Sequence, residues 1–588
     1  MKMLRQATIY AAMACIAFTT NAQEPLSKEI TVEKEIIPHE REASRLLLQP
    51  QLMLNPIQQK KLKWTDRAVI APVTPGITIL PPAQYASSIE KSPYAGYLDI
   101  GYFPEFQLGA SAGYRFIDNE STKIGAWLQY DGSQYKRTNI LDDKLTYKNH
   151  VLTIGADLTH RFDGIGTLSA GIGYGMNSLW FPVYGNVLSS LNERDNGFDQ
   201  TANRFGINLD WNSKVGEFDI LAGVDYGYFG FSKPYVGTDL KALKNNTFSI
   251  NAGTRYAISE KSLIGAEIKY SSTSFSEHLA AVLDEEQGID YVGMSSSSYG
   301  VVEFNPYFIA HGDSYSARLG IELSAQTGDK SGVNIGPDVR LDWMPSQQFS
   351  IYARARAGYV TLNNLASMMD RDSYINPSIS YLPTRMKGQL DLGLAIGPFA
   401  GASFEVWGGY GEYENANLPI MYITDTSMGE SYYSDGMYAP MKFKSTHYGI
   451  AFNYNYRDMV RLRASYEGAP QDHDSGYLEW LDRAKSVIEA SLTVTPISPL
   501  DITLGYRLRN DRAIYTVTPE SADIFKGYVY GWHDLGKVSS LNLSAAYRFN
   551  DRFTVWADAE NLLGEDWQIA PMVPNAGITG LIGISYKF

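Results

Sequence analysis

The chain has one cysteine and eight histidines in 588 residues, so few residues are available for cysteine chemistry or for metal binding. The cysteine, Cys15, lies near the amino terminus, so a mature chain cleaved after Ala22 can form no disulfide. Cysteine and histidine pairs at zinc spacing are absent, as are a Gly-Lys-Ser/Thr phosphate loop and a nucleophile elbow. The sequence therefore predicts a protein that is not an enzyme and that holds no metal ion and no cofactor.

Long hydrophobic runs are also missing. The apolar stretch ATIYAAMACIAF near the start is shorter than the roughly 20 residues that a membrane-spanning helix needs. Lys2 and Arg5 precede it and small residues follow it, so residues 1–22 predict a signal peptide for export, cleaved after Ala22. A lipid anchor at Cys15 is the alternative, but the apolar run continues beyond that residue.

Positive charge is in the minority. The net charge is −14, and nucleic-acid binding requires clustered positive charge, so we expect no nucleic acid among the partners. Tyrosine and glycine, in contrast, are abundant, with 41 and 52 residues. Such a composition fits a β-rich chain, because aromatic side chains favour pleated, half-buried surfaces.

The mature chain divides into two regions. Residues 23–92 are irregular, charged and so rich in proline that long regular elements are excluded. Residues 93–588 repeat one pattern, in which apolar and polar residues alternate in segments separated by turns. In THYGIAFNYNYR, for example, Tyr448, Ile450 and Phe452 share one face. A period of two predicts strands.

About 22 such segments follow one another, and the last three begin near residues 528, 552 and 578. The connections alternate between short turns and long loops, and the final segment, LIGISYKF, has one apolar and one polar face. The predicted fold class is all-β, a transmembrane antiparallel β-barrel of about 22 strands, closed by pairing of the first and last strands. Two packed soluble sheets are the alternative, but one face of each segment is small and polar.

The carboxyl-terminal part resembles TonB-dependent outer-membrane receptors. The stretch VWADAENLLGEDWQIAPMVPNAGITGLIGISYKF, residues 555–588, leads through the motif Asn561, Leu562 and Leu563 into a final strand with an aromatic end. The resemblance covers residues 93–588. It implies a receptor-type barrel in the outer membrane of a Gram-negative cell.

The resemblance also implies partners and a set of assembly residues. Lipid and lipopolysaccharide would surround the barrel, and the barrel-assembly machinery would read the last strand. The residues that this assigns to barrel closure and to the assembly signal are Ile584, Tyr586 and Phe588.

The chain departs from these receptors at the plug domain, which in them precedes the barrel. Residues 23–92 are too short and too proline-rich for a plug, so we expect a plugless barrel of the Bacteroidetes type, with this segment in the periplasm or the lumen. Contact with TonB has little support, since the extended stretch at residues 29–33, EITVE, is of a kind that arises by chance. A surface lipoprotein or a periplasmic protein is the other partner that this organisation allows.

The polar face of the strands carries the candidate site. Arginines recur at two-residue spacing on successive strands, which predicts basic ladders along one wall of the lumen. Such ladders would draw anions or hold an acidic peptide, or would only stiffen the wall through arginine–carboxylate pairs. The candidates are Arg318, Glu322, Arg340, Arg354, Arg356, Arg461, Arg463, Arg507, Arg509 and Arg548.

The loops offer weaker signals. Residues 471–474, QDHD, and residues 283–290, LDEEQGID, are acidic, but neither matches a metal-binding spacing. Residues 373–383 and 421–440 are tyrosine-rich and fit either recognition of a ligand or an interfacial aromatic girdle.

Two functions of different classes remain open. One is a receptor or channel that moves a solute across the outer membrane. The other is a non-transporting barrel with a filled lumen that serves as a subunit or scaffold of an envelope complex.

Overall fold

The computed structural model describes a barrel wall and parts of its loops. The described residues are 93–138, 144–182, 197–235, 241–275, 298–328, 330–360, 364–374, 382–425, 431–457, 459–469, 484–519 and 528–588. The signal peptide at residues 1–22, the segment at residues 23–92 and the acidic loops at residues 283–290 and 471–474 lie outside the described residues.

Strands dominate the described chain. In chain order they are β1 Gly96–Phe103, β2 Gln107–Asp118, β3 Thr122–Thr138, β4 Lys144–Phe162, β5 Gly166–Pro182, β6 Gly197–Val215, β7 Phe218–Phe231, β8 Lys244–Ser259, β9 Ser262–Phe275, β10 Tyr299–His311, β11 Tyr315–Gly328, β12 Gly332–Ser346, β13 Phe349–Val360, β14 Thr384–Phe399, β15 Ala402–Asp425, β16 Ser431–Tyr456, β17 Val460–Gly468, β18 Ser486–Ile497, β19 Leu500–Asn510, β20 Ala513–Pro519, β21 Tyr528–Asp534, β22 Val538–Arg548, β23 Phe553–Glu560, β24 Gln568–Ala570, β25 Val573–Pro574 and β26 Thr579–Lys587. One short helix, α1 Leu365–Arg371, lies between β13 and β14. No helix among the described residues is long and apolar enough to cross a membrane.

The wall is a closed ring of 22 antiparallel strands, which confirms the predicted fold class. Strands β1 to β19 are followed in the ring by β22, β23 and β26. The last strand then pairs with the first, with Tyr97 opposite Lys587 and Tyr102 opposite Ile582. Closure leaves no free edge on the ring, so the wall backbone is satisfied without water.

The two faces of the wall differ in composition. On β26, Ile582, Ile584 and Tyr586 are 61%, 46% and 41% exposed, while Ser585 between them is 6% exposed. The same alternation runs round the ring, because directly paired residues share a face. We call the face opposite the exposed apolar side chains the interior face.

Aromatic rings collect on the exterior at the end of the barrel that carries short turns. Tyr114 and Phe116 lie 5.2 Å apart, and Tyr547 and Phe549 lie 4.8 Å apart, measured between ring centroids. A girdle of this kind is typical of barrels that cross a membrane, where it lies at the boundary between lipid and water.

Connections at the opposite end are mostly long. In the connection between β19 and β22, the structure differs from a predicted strand. Residues 528–534 form β21, which pairs with β20 as a hairpin beyond the wall. β20 also pairs in parallel with the outer part of β15, at Ile420 and Met421. The wall strand predicted from residue 528 therefore begins instead at Val538.

Candidate functional site

Three predicted arginines lie directly opposite one another on the interior face. Arg318 on β11 is paired with Arg340 on β12, which is paired with Arg354 on β13. Like charges at such positions repel. Asp338 reduces the repulsion, because its carboxylate lies 2.7 Å from Arg318 Nε and 3.9 Å from Arg340 Nε. Beyond Arg354 the row continues with Asp391 on β14.

Glu322 joins the same network through the side-chain amide of Asn305. Arg318 Nη2 donates to Asn305 Oδ1 at 2.7 Å, and Asn305 Nδ2 donates to Glu322 Oε2 at 3.0 Å. The Arg318 guanidinium also lies 3.5 Å from the centroid of the Tyr307 ring. These contacts hold the guanidinium against the wall, so the Arg318 side chain is not free to reorient toward a ligand in the lumen.

Arg356 is engaged by a second network. Its Nε and Nη2 donate to Gln389 Oε1 at 3.0 and 2.8 Å, and Tyr413 Oη donates to the same oxygen at 3.0 Å. Gln389 Nε2 donates to Asp391 at 2.9 Å. His447 Nε2 lies 3.3 Å from Asp391 Oδ1. The network joins β13, β14, β15 and β16.

Two further arginines form ion pairs near the carboxyl terminus. Arg507 Nε lies 3.0 Å from Glu489, and Arg548 Nη1 lies 2.6 Å from Asp501. Arg509 is buried, at 7% exposure. For these residues the geometry favours the interpretation in which arginine contacts stiffen the wall.

Arg461 and Arg463 differ from the others. Both side chains are exposed on the interior face of β17, opposite the neutral Asn455 and Asn453 of β16. Neither makes a hydrogen bond or an ion pair with the described residues. They are the candidates whose charge is most available to an anion.

The last strand is joined to the first up to its final residue. Gly96 N donates to Phe588 O at 2.8 Å, and Phe588 N donates to Gly96 O at 3.0 Å. The Phe588 ring stacks 6.0 Å from Tyr114 and 6.1 Å from Tyr586. Ile584 lies on the same exterior face. Recognition of these residues during assembly stays a prediction.

The connection that contains α1 crosses the mouth of the barrel at the long-loop end. Its described part, residues 364–374, ends beside β3, which is ten positions from β13 in the ring of 22 strands. There the phenols of Tyr374 and Tyr135 are hydrogen-bonded. Tyr135 Oη also donates to Pro574 O at 3.2 Å. Burial raises the pKa of the Tyr374 phenol, so this phenol stays protonated.

Polar contacts hold α1 from several sides. Arg204 Nη1 on β6 lies 2.9 and 3.1 Å from the two carboxylate oxygens of Asp370. Arg371 donates to Asn417 O on β15, and Tyr438 Oη on β16 donates to Met368 O at 3.3 Å. The helix thus contacts strands on well-separated sides of the ring.

Beneath these contacts lies one apolar cluster, which we call the mouth cluster. Leu365, Met368 and Met369 of α1 are buried in it. Its aromatic members are Tyr135, Tyr147, Phe181, Phe198, Phe229, Phe231, Tyr235, Phe275, Tyr299, Tyr359, Tyr374 and Tyr438. Burial of one such side chain contributes about 1.5–3 kcal/mol, whereas a half-exposed ion pair contributes about 1 kcal/mol or less. The cluster therefore contributes more to the stability of this end of the barrel than the ion pair does.

The mouth cluster also changes the interpretation of the tyrosine-rich loops. Ligand recognition and an interfacial girdle both require exposed rings, but Tyr374 and Tyr438 are 4% and 1% exposed. Sequence reasoning missed α1 itself. A local signal existed, because the Asn364 side chain accepts from Ser367 N in a capping box.

Among the described residues, no group of three or more His, Cys, Asp or Glu side chains could hold a metal ion. No family model matches the chain, and no curated protein matches it.

Solved structures share the fold. The siderophore receptor PirA from Acinetobacter baumannii is 10% identical, with a TM-score of 0.63, over 84% of this chain and 80% of that one. The FrpB iron transporter from Neisseria meningitidis, F3-3 variant, is 11% identical, with a TM-score of 0.60, over 85% and 82%. A mutant ferric enterobactin receptor, PfeA, from Pseudomonas aeruginosa is 13% identical, with a TM-score of 0.60, over 84% and 81%. The chain thus has the barrel fold of outer-membrane siderophore and iron receptors.

Proposed function

We propose that the chain is a receptor or channel through which a solute crosses the outer membrane of a Gram-negative cell. The observation that carries this proposal is the closed wall with an apolar exterior and a polar interior face. A closed wall with that distribution is stable in lipid and encloses a hydrophilic space. Arg461 and Arg463, exposed on the interior face, fit a passage that contains water.

The proposal includes the route to the membrane and the surroundings of the barrel. Residues 1–22 act as a cleaved signal peptide, and the assembly machinery reads the strand that carries Ile584, Tyr586 and Phe588. Lipid and lipopolysaccharide cover the exterior. The segment at residues 23–92 replaces a plug domain, as in receptor-like barrels of Bacteroidetes, so the solute passes without one.

Ion current tests the proposal. Protein purified from outer membranes and reconstituted in planar bilayers is expected to conduct, at least when the mouth cluster is disrupted by Met368→Asp. A protein that stays non-conducting in both forms, while gel mobility shows a folded barrel, would contradict passage through the lumen.

A second function is favoured by one observation, the mouth cluster. A barrel with a packed apolar core at its mouth can serve as a scaffold with a filled lumen. In that case a surface lipoprotein or a periplasmic protein remains bound to the chain. Purification under mild detergent separates the two proposals, because the scaffold predicts a stoichiometric partner and no current.

A further inference from the structure

Four glycines form an unbroken row across the interior face. Gly155 on β4 is directly paired with Gly173 on β5, Gly173 with Gly206 on β6, and Gly206 with Gly227 on β7. The row ends at Trp127 on β3, paired with Gly155. At the other end Thr247 on β8 is paired with Gly227. Four neighbouring strands therefore present bare backbone at one level of the wall, which leaves a trough.

Packing does not require the two central glycines. A Cβ atom added at Gly173 or at Gly206 would meet its first neighbour, a backbone oxygen, only at 3.8 Å. At the ends the space is occupied, since a Cβ at Gly155 would lie 2.7 Å from the Trp127 ring and a Cβ at Gly227 2.5 Å from Thr247 Oγ1. The trough is open at its centre and bounded by side chains at its ends.

The trough forms the floor of a cavity of about 380 Å³. Asn364 and Ala366, at the start of α1, contribute to its lining. A volume of this size falls within the range of about 300–1,000 Å³ that is usual for small-molecule sites. Trp127 is 40% exposed and lies along Gly155, so one face of its indole is available.

The polar groups of the cavity include a hydrogen-bond acceptor that has no donor in the part of the chain that the structure describes. Asn245 lines it and is 1% exposed, and its Oδ1 has no hydrogen-bond partner among the described residues. A buried acceptor without a partner costs about 1–3 kcal/mol, so a ligand that donates a hydrogen bond there would recover that free energy. Arg204 also lines the cavity, but Asp370 neutralises its charge. The cavity therefore suits an uncharged ligand.

We propose that this trough binds a neutral, hydroxyl-rich ring compound, of the sugar class. One ring of the compound would lie on the bare backbone beside Gly173 with its apolar face against Trp127. A hydroxyl group of a second ring, farther along the trough, would donate to Asn245 Oδ1, because β3 and β8 are five strand spacings of about 4.8 Å apart. That the bound sugar is also the transported solute rests on the proposed function, whereas binding itself does not.

Equilibrium binding to the full-length mature protein tests the inference. The protein is purified in an amine-oxide detergent, because sugar-headed detergents would compete for the site. Glucose, N-acetylglucosamine, maltose and cellobiose are titrated in a calorimeter, with inorganic phosphate as the charged comparison. At least one of the sugars is expected to bind and to be displaced by a maltoside detergent, and phosphate is not.

Variants locate the binding. Trp127→Ala and Gly206→Leu are each expected to weaken the affinity about tenfold or more, which is about 1.4 kcal/mol. Trp127→Phe keeps a ring and is expected to retain part of the affinity. The matched controls lie on interior faces of other strands, where Trp407 covers Gly449 and a Cβ at Gly505 would meet its first neighbour at 3.9 Å. Trp407→Ala and Gly505→Leu are expected to leave the affinity unchanged.

Three outcomes overturn the inference, namely no binding of any of the four sugars, binding of phosphate instead, or equal loss in the test and control variants. Gel mobility and trypsin resistance of the barrel show that each variant is folded. Conductance is measured separately. Sugar binding without current in either the wild type or Met368→Asp would leave this inference intact and remove the proposed transport, and current without sugar binding would do the reverse.

Discussion

The indole of Trp556 lies against Gly583 across the closing seam of the barrel. The two residues are directly paired between β23 and β26, and Gly583 is paired in turn with Gly101 on β1. A Cβ atom at either glycine would overlap the indole. Trp556 Nε1 donates to Ser585 Oγ at 3.1 Å, and Ser585 donates to Asp99. One side chain thus links the last two strands to the first.

Removal of this ring is expected to weaken the seam. Trp556 is 4% exposed, and replacement of a buried tryptophan by alanine costs about 3–5 kcal/mol. The free energy of unfolding of Trp556→Ala is measured by guanidinium titration, with gel mobility as the readout of the folded barrel. Trp343→Ala is the control, because Trp343 is 50% exposed on the exterior face. Equal loss in both variants would show that the seam has no special role.

Phe588 is expected to affect both the stability of the barrel and the amount of protein that reaches the outer membrane. Phe588→Ala removes two stacked ring pairs, with Tyr114 and Tyr586, each worth about 0.5–1.5 kcal/mol. If the last strand is also the assembly signal, the amount of protein in the outer-membrane fraction falls further than this loss of stability predicts. Phe549→Ala is matched, since Phe549 is an exterior ring with 60% exposure and two ring neighbours. A similar fall in both variants would argue against a signal at Phe588.

The wall could be predicted from sequence because its rule is local. Alternation alone assigns a residue such as Arg354 to the face opposite Ile351. The pairing of the first strand with the last follows from the requirement that no edge stays open, whereas the register, with Tyr97 opposite Lys587, comes from the structure. The same rule produced the error at residue 528, because an alternating hairpin beyond the wall has the same period as a wall strand.

What lies inside the barrel could not be predicted in this way. The glycine row depends on the register of four strands, and a shift of one residue at Gly206 would break it. Tyr374 reaches Tyr135 across the mouth through a connection whose path has no periodicity. Such contacts are tertiary, and the sequence near Tyr374 carries no trace of them.

The stability of the mouth is expected to depend more on its apolar core than on the ion pair between Arg204 and Asp370. Met368→Asp places a carboxylate at a side chain that is fully buried, which costs several kcal/mol, whereas Asp370→Asn removes a pair that is 35% and 44% exposed, worth about 1 kcal/mol or less. Cleavage near α1 by external protease on intact cells is therefore expected to rise strongly in the first variant and little in the second. The reverse order would place the stability of the mouth in the Arg204 ion pair.

Arg461 and Arg463 are expected to set the ion preference of any current. Their cations are exposed on the interior face and make no hydrogen bond or ion pair with the described residues. A unit charge about 4 Å from a passing ion changes its energy by about 1 kcal/mol in a water-like medium, a factor of about five in local concentration. The double variant Arg461→Glu with Arg463→Glu therefore shifts the reversal potential in a salt gradient toward cations. The double lysine variant keeps the charge and the preference, and so does Lys442→Glu, because Lys442 is a surface side chain with 74% exposure at the outer part of β16. A reversal potential that is unchanged in the double glutamate variant would show that ions do not pass β17.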